Sequence, residues 1–366
     1  MRRRVLGALV AVVAIFGIKV ALTRPPARGS VHTVHGAYHV HSTLSDGRGT
    51  PDEIVEAAAQ AGLDFVVLTD HNRLDAQLAG AKDGVLLVPA TEESTTVGHV
   101  VSLGAARPLT HEEMQHPLAA IRKLGGVPVL AHPLNRKMPF SGWDEVALAD
   151  GMEALSDDDL WREALHAPFS RGLVVAALEL PFNPRLAMAQ LIRRPDDALA
   201  RWDALRQKVS LVQLCAVDAH GLPGYRPLFE GMSMYLDHVP ANSDAKTILG
   251  ALEAGHAYCG LDVVAPADDF SFVAVDAGKL PPLEEGQYGA RGDRTLRIQL
   301  PGNAPRNARI KLYLNGAPQA EGPGPQLQLE HAAAGDWRVE VWAPLPGAFF
   351  DGPDVPWILS NVIRLR

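Results

Sequence analysis

Histidines and carboxylates recur in short clusters along the first two-thirds of this sequence. His39-Val40-His41 comes first, and Asp46 follows five residues later in Ser45-Asp46-Gly47. Asp70-His71, Glu92-Glu93, His99, His132 in Ala131-His132-Pro133, and Asp218-Ala219-His220 complete the series. Imidazole nitrogen and carboxylate oxygen are the protein donors for divalent transition metals. Two of the clusters have i, i+2 spacing, which on a strand puts both side chains on one face, where they can converge on one ion. Metal ions so held lower the pKa of a bound water and clamp the oxygens of an ester undergoing hydrolysis. His71 and His220 are further candidates to deliver a proton to the leaving group. Arg136 and Lys137, just after His132, either hold an anionic substrate or belong to a solvated loop. His32, His35, His111, His116, His166, His238, His256 and His331 fall outside the pattern and are read as capped or surface residues. No Gly-x-Ser-x-Gly elbow marks a serine nucleophile.

The clusters share a position: each lies at or just past the C-terminal end of an apolar, strand-like run. Phe65–Leu68 precedes Asp70, Val85–Val88 precedes Glu92, Val127–Leu130 precedes His132, and Leu211–Val217 precedes Asp218. Helical stretches alternate with these runs. Thr50-Pro51-Asp52-Glu53 is a capping box with proline at the first helical position, and Gly62 stops that helix. Leu118–Leu124, Asp196–Lys208 and Ala245–Ala254 are the later helices. Repeated strand–helix units predict a parallel sheet or barrel with its site at the strands' C-terminal ends. After Pro266 the helical period disappears, and short alternating runs separated by Gly, Pro and Asn turns predict a β-sandwich. The expected division is 1–30 as an anchor and linker, 31–265 as the barrel, and 266–366 as the sandwich.

The flanking features set the remaining expectations. Arg2, Arg3 and Arg4 precede an apolar run from Val5 to Ile18, so the N-terminus reads as an uncleaved signal anchor or a cleaved signal. That predicts an exported protein, tethered to the membrane by this helix and facing the periplasm or exterior, or else secreted after cleavage. The formal charge of −8 argues against a sequence-independent nucleic-acid binder. The two cysteines, Cys215 and Cys259, sit in apolar runs and are read as buried free thiols.

The runs Tyr38-His39-Val40-His41-Ser42-Thr43-Leu44-Ser45-Asp46-Gly47 and Leu68-Thr69-Asp70-His71-Asn72 resemble the PHP superfamily, the polymerase and histidinol phosphatase domains. The resemblance continues through Pro89-Ala90-Thr91-Glu92, Gly98-His99-Val100, Ala131-His132-Pro133 and Asp218-Ala219-His220. It implies a distorted (β/α)7 barrel holding two or three divalent metals, zinc, manganese or iron. By motif, the implied ligands are His39, His41, Asp46, His71, Glu92, His99, His132, Asp218 and His220. Ala90 stands where the family has glycine. Glu92 and Glu93 are both available as the bridging carboxylate, and the spacing favours Glu92. Glu179 matches a family position near the site. Pro356-Trp357-Ile358-Leu359-Ser360-Asn361 resembles the C-terminal extension of a subgroup with carbamate-hydrolysing members. The expected function is hydrolysis of a small-molecule ester, with phosphoesters leading and carboxyl esters, amides or carbamates second. A metal-dependent binding module without turnover is the third reading.

Overall fold

The computed structural model of the chain describes residues 2–276, 278 and 280–366, with side chains from Val10 onward. A helix α1 (Arg2–Leu22) leads to strand β1 (His35–Val40). The predicted capping box then starts α2 (Pro51–Ala61). The Thr50 hydroxyl accepts from the Glu53 amide, the Glu53 carboxylate accepts from the Thr50 amide, and Gly62 closes the helix in the left-handed region. β2 (Phe65–Leu68), β3 (Gly80–Lys82), β4 (Val85–Pro89), β5 (Thr91–Thr95) and β6 (Gly98–Leu103) follow, then α3 (Pro117–Lys123) and β7 (Val127–Leu130). β8 (Gly151–Ser156) leads into α4 (Asp157–Ala164), α5 (Arg171–Glu179), α6 (Pro184–Ala189) and α7 (Asp196–Arg206). β9 (Val212–Ala216), α8 (Tyr225–Phe229), β10 (Ser233–Leu236), α9 (Ala245–Ala254) and β11 (Ala257–Gly260) complete this part.

β1, β2 and β4 pair in parallel, and β10 and β11 extend the sheet antiparallel beyond β1. β5 to β9 form a second sheet in sequence order, with β7, β8 and β9 parallel. The sheets meet at two seams, both at strand ends that carry ligand-type residues. At one seam the Val217 amide donates to the Tyr38 carbonyl at 2.9 Å, and the His41 amide donates to the Ala219 carbonyl at 3.0 Å. At the other the Ala90 amide donates to the Leu68 carbonyl at 2.7 Å, and His71 bridges Glu92. Among the described residues the expected (β/α)7 barrel is thus seen as two mixed sheets joined at the site-bearing end. The antiparallel β5–β6 hairpin, with no helix between its strands, interrupts the parallel series.

The C-terminal part contributes β12 (Ser271–Asp276), β13 (Leu283–Glu284), β14 (Tyr288–Gly289), β15 (Arg294–Gln299) and β16 (Arg309–Leu314). It ends with β17 (Ala317–Pro323), β18 (Gln326–Leu329), β19 (Gly335–Pro344), β20 (Asp354–Ser360) and β21 (Ile363–Leu365). Four strands form a small sheet in the order β13-β12-β15-β18. The others continue the first sheet, because β20 pairs antiparallel with β11. One apolar cluster contains Tyr38 and Phe65 together with Val341 and Trp357.

Two expectations are corrected here. Among the described residues no helix is long and apolar enough to cross a membrane, so the anchor and the exported, membrane-tethered location are not sustained. Lys19 interrupts the apolar run of α1, and the end of the helix docks on the body of the protein. The Phe16 ring lies 6.0 Å from that of Phe182 and 5.9 Å from that of Phe349, and the Asn183 amide donates to the Val20 and Thr23 carbonyls. The side chains of Arg2, Arg3 and Arg4, which carried the orientation argument, lie outside those described. Second, Cys215 on β9 and Cys259 on β11 are joined as a disulfide. They are 44 residues apart, and only the tertiary approach of the two strands makes them partners.

Candidate metal centre

The ligand-type residues gather at the joined ends of the two sheets. His39 sits at an irregularity in β1, where the pairing with β2 shifts between Tyr38 and Val40, and its φ is 68°. Left-handed backbone is unfavourable for a histidine, and such residues concentrate at functional sites. His132 and Asp218 share the feature, with φ of 26° and 49°. The bulge, and not the regular pleat, therefore brings His39 and His41 together, their Nε2 atoms 3.0 Å apart.

Glu92 is the centre of the arrangement. Its Oε2 lies 3.2 Å from His39 Nε2, His41 Nε2 and His71 Nδ1. Its Oε1 lies 2.8 Å from His99 Nδ1 and 3.0 Å from His132 Nε2. Strand alternation sends Glu93 to the other side, where its carboxylate accepts from the Leu109 amide at 3.1 Å and burial pushes its pKa up to about 7. Glu92, not Glu93, is the carboxylate placed to bridge. Asp218 Oδ1 stands 3.4 Å from His39 Nε2 and 3.3 Å from His41 Nε2.

A second grouping faces solvent. Asp46 Oδ2 lies 3.7 Å from His71 Nε2 and 3.4 Å from His220 Nε2, and its Oδ1 lies 3.6 Å from His41 Nδ1. His220 donates through Nδ1 to the Asp218 carbonyl at 2.9 Å, which leaves its Nε2 lone pair turned toward Asp46. The Asp218-Ala219-His220 pair is therefore divided, with the acid in the inner grouping and the histidine in the outer one.

These residues fit metal ions. Zinc–ligand distances of about 2.0–2.2 Å give a tetrahedral edge of about 3.3 Å. The five separations among His39 Nε2, His41 Nε2, Glu92 Oε2 and Asp218 Oδ1 given above run from 3.0 to 3.4 Å. His41 Nδ1 and His99 Nδ1 are buried without a hydrogen bond, although His99 Nδ1 approaches Glu92. Buried polar atoms left without partners are costly, and a cation supplies what they lack. Burial alone would depress the imidazoles, and at His71 it does, but at His39, His41 and His132 the carboxylates around them prevail. Glu153, Asp218 and Glu92 hold His39 well above its ordinary value, Asp218 and Glu92 raise His41 to about 9, and Glu92 and Asp218 raise His132 to about 10. Burial opposes ionisation of Glu92, yet His39 and His132 hold it well below the usual carboxylate range. This is an excess of negative charge that draws in positive charge, whether protons or metal ions.

Several residues support this arrangement. Glu153, in the middle of buried β8, accepts from His39 Nδ1 and from the His132 amide, both at 2.7 Å. It fixes the His39 tautomer and turns Nε2 inward. Asp70, adjacent to His71, accepts from the Ser42 amide and from the Ser42 and Ser45 hydroxyls, and so holds the loop that presents Asp46. Gly47 is required there, because a Cβ would lie 2.2 Å from the His41 carbonyl oxygen. Tyr225 pins the same loop by donating to that carbonyl at 2.7 Å. Arg136 and Lys137 are exposed, with Arg136 facing Glu163 at 3.9 Å. Glu179 is buried at the end of α5, outside the ligand groupings found among the described residues.

Residues 37–128 match the PHP domain family, in agreement with the resemblance carried by the motifs. No curated protein matches the sequence. Among solved structures, the chain is similar to a two-domain protein of Bacteroides vulgatus containing a predicted PHP-like metal-dependent phosphoesterase. The identity is 13%, the TM-score 0.43, and 93% of this chain and 98% of that one are covered. It is also similar to a candidate metal-dependent phosphoesterase of Bifidobacterium adolescentis, at 16% identity and TM-score 0.31 over 62% and 96% of the two chains. An amidohydrolase of Chromobacterium violaceum with bound sulfate and no metal shows 19% identity and a TM-score of 0.28 over 36% and 82%. With every TM-score below 0.5, the functional reading rests on the domain match and the site itself. The chain thus carries a PHP domain match over residues 37–128, and its clustered His, Asp and Glu side chains form groups that could hold metal ions.

Proposed function

Starting from a PHP-type metal centre, we propose that this chain hydrolyses a small-molecule phosphoester with two or three divalent ions, zinc, manganese or iron. The supporting observation is the bridging position of Glu92, whose two oxygens serve separate sets of imidazoles. His39, His41, Glu92 and Asp218 would hold the inner ion, Glu92, His99 and His132 a second, and Asp46, His71 and His220 the solvent-side ion. When bound, such ions activate water near neutral pH and offset the charge that develops on the ester.

The side chains divide the remaining work. Glu153 and Asp70 keep the ligands oriented, so that little reorganisation is left for the reaction itself. Ligand duty would occupy the lone pairs of His71 and His220, which would reduce their value as proton donors. Asp157, raised to about 7 by burial, lines a cavity beside His220 and is the better candidate to protonate the leaving group. The acidic surface remains the argument for a small molecule over nucleic acid as partner.

The test uses the metal-loaded protein with nitrophenyl phosphate and nitrophenyl acetate. Phosphate turnover with little acetate turnover supports the proposal. The reverse moves the assignment to carboxyl esters, amides or carbamates, the alternative raised by the Trp357 segment. Removing both His39 and His41 should cost at least one metal equivalent and nearly all turnover, while His111→Ala should cost neither. Full metal content and activity in the double variant would overturn the assignment, and metal without any turnover in the parent would leave a binding module.

A further inference from the structure

A cavity of about 330 Å³ opens beside the solvent-side grouping and shares Asp46, Asp218 and His220 with the metal centre. Part of its wall is apolar, from Trp161, Leu222 and Leu228, and part is acidic, from Asp157 and Asp158. Two cations line it. Arg162 is already committed, paired with Asp158. The Arg48 guanidinium is different, for it makes no hydrogen bond or ion pair with any described residue. Its backbone, by contrast, is fixed: the Arg48 amide lies 3.2 Å from both the His220 carbonyl and the Tyr225 hydroxyl. Arg48 is thus exposed at the cavity, its backbone held and its guanidinium uncommitted beside the carboxylates of Asp46 and Asp158. The acids would repel an anion approaching the metals, and a cation at this point removes that barrier for one oriented correctly.

We infer that Arg48 binds an oxyanion, carboxylate or phosphate, on the leaving portion of the substrate, while the scissile ester sits at Asp46 and His220. Guanidinium suits this task because its planar fork meets either oxyanion with two parallel hydrogen bonds. The inference rests on the hydrolase reading above and deepens it: the substrate is an ester with a second negative charge outside the reacting group. Arg48, not Arg136 or Lys137, is the residue that selects it.

The test compares three nitrophenyl phosphates, one plain, one with a ring carboxylate and one with a ring phosphonate, on metal-loaded protein. The parent should prefer a charged substrate in kcat/KM by about tenfold, the scale of one charge-assisted contact. Arg48→Gln should erase that preference through KM, and Arg48→Lys should restore part of it, with metal content equal in all three proteins. Preference for the carboxylate or for the phosphonate identifies which oxyanion is read. A preference ratio unchanged in Arg48→Gln overturns the inference. Should the parent hydrolyse none of the three, the hydrolase reading fails, and Arg48 is then judged by calorimetric binding of benzoate and phenylphosphonate. Weaker binding to Arg48→Gln would sustain its role, and equal binding would end it.

Discussion

Adjacent glutamates with opposite fates show how much one residue step decides at this site. Glu92 faces five imidazoles, whereas Glu93 turns to the Leu109 amide, so Glu92→Gln and Glu93→Gln should part company sharply. The first should lose metal measured by elemental analysis, and the second should keep its full complement because a glutamine oxygen can still accept from Leu109. Equal metal loss in both would show that the choice of Glu92 is wrong. Glu153→Gln tests the residue behind His39, and losing such a support typically weakens metal affinity by about 10–100-fold. Competition with a chelator would measure it, and unchanged affinity would reduce Glu153 to a packing role. Motif spacing alone favoured Glu92 in the sequence, and the structure adds the strand alternation that separates it from Glu93. Glu153 was not legible there, since a lone acid in Met152-Glu153-Ala154 acquires meaning only when His39 is folded against it.

Among the elements, those governed by local rules were read well. The capping box and Gly62 gave the bounds of α2, Phe65–Leu68 appeared as β2, and Ala245–Ala254 appeared as α9. Features set by long-range contact were not legible. The i, i+2 argument placed His39 and His41 together on a regular strand face, whereas in the structure they approach through a bulge at His39 that depends on pairing with β2 and on the seam to Ala219. The same holds for Cys215 and Cys259, read as separate thiols and found linked. Their disulfide ties β9 in one sheet to β11 in the other, so it guards the alignment of the two halves of the site. Reduction, or Cys215→Ser with Cys259→Ser, should lower stability by about 2–4 kcal/mol, the usual worth of such a cross-link. Denaturant unfolding with and without reductant would measure the difference, and coincident curves would show that the strands hold each other without it.

At the scale of the whole molecule, the change of pattern after Pro266 was plain in the sequence, but the partners of the later strands were not, because pairing across some hundred residues leaves no local trace. Those partners are now specific. The Leu261 amide donates to the Trp357 carbonyl at 2.8 Å, and the Trp357 indole donates to the Ala265 carbonyl at 2.6 Å. Asn361 reaches both sheets, donating to the Gln213 and Ala257 carbonyls at 3.0 and 2.8 Å and accepting from the Gln213 amide at 2.7 Å. Salt bridges from Arg206 to Asp336 and from Arg338 to Asp203 fasten α7 to β19. A fragment ending at residue 265 would expose β11 as a bare edge, leave the Gln213 backbone groups buried or unpaired, and uncover apolar surface shared with Trp357. It should therefore be insoluble or metal-poor where the intact chain is neither. Asn361→Ala in the intact chain is the milder version. It strands three backbone groups at the junction of β9 and β11 and should cost on the order of 1–3 kcal/mol. A soluble fragment that holds its full metal complement would show that the first 265 residues carry a self-sufficient core. The strands after Pro266 would then be an attachment to the metal centre and not part of its foundation.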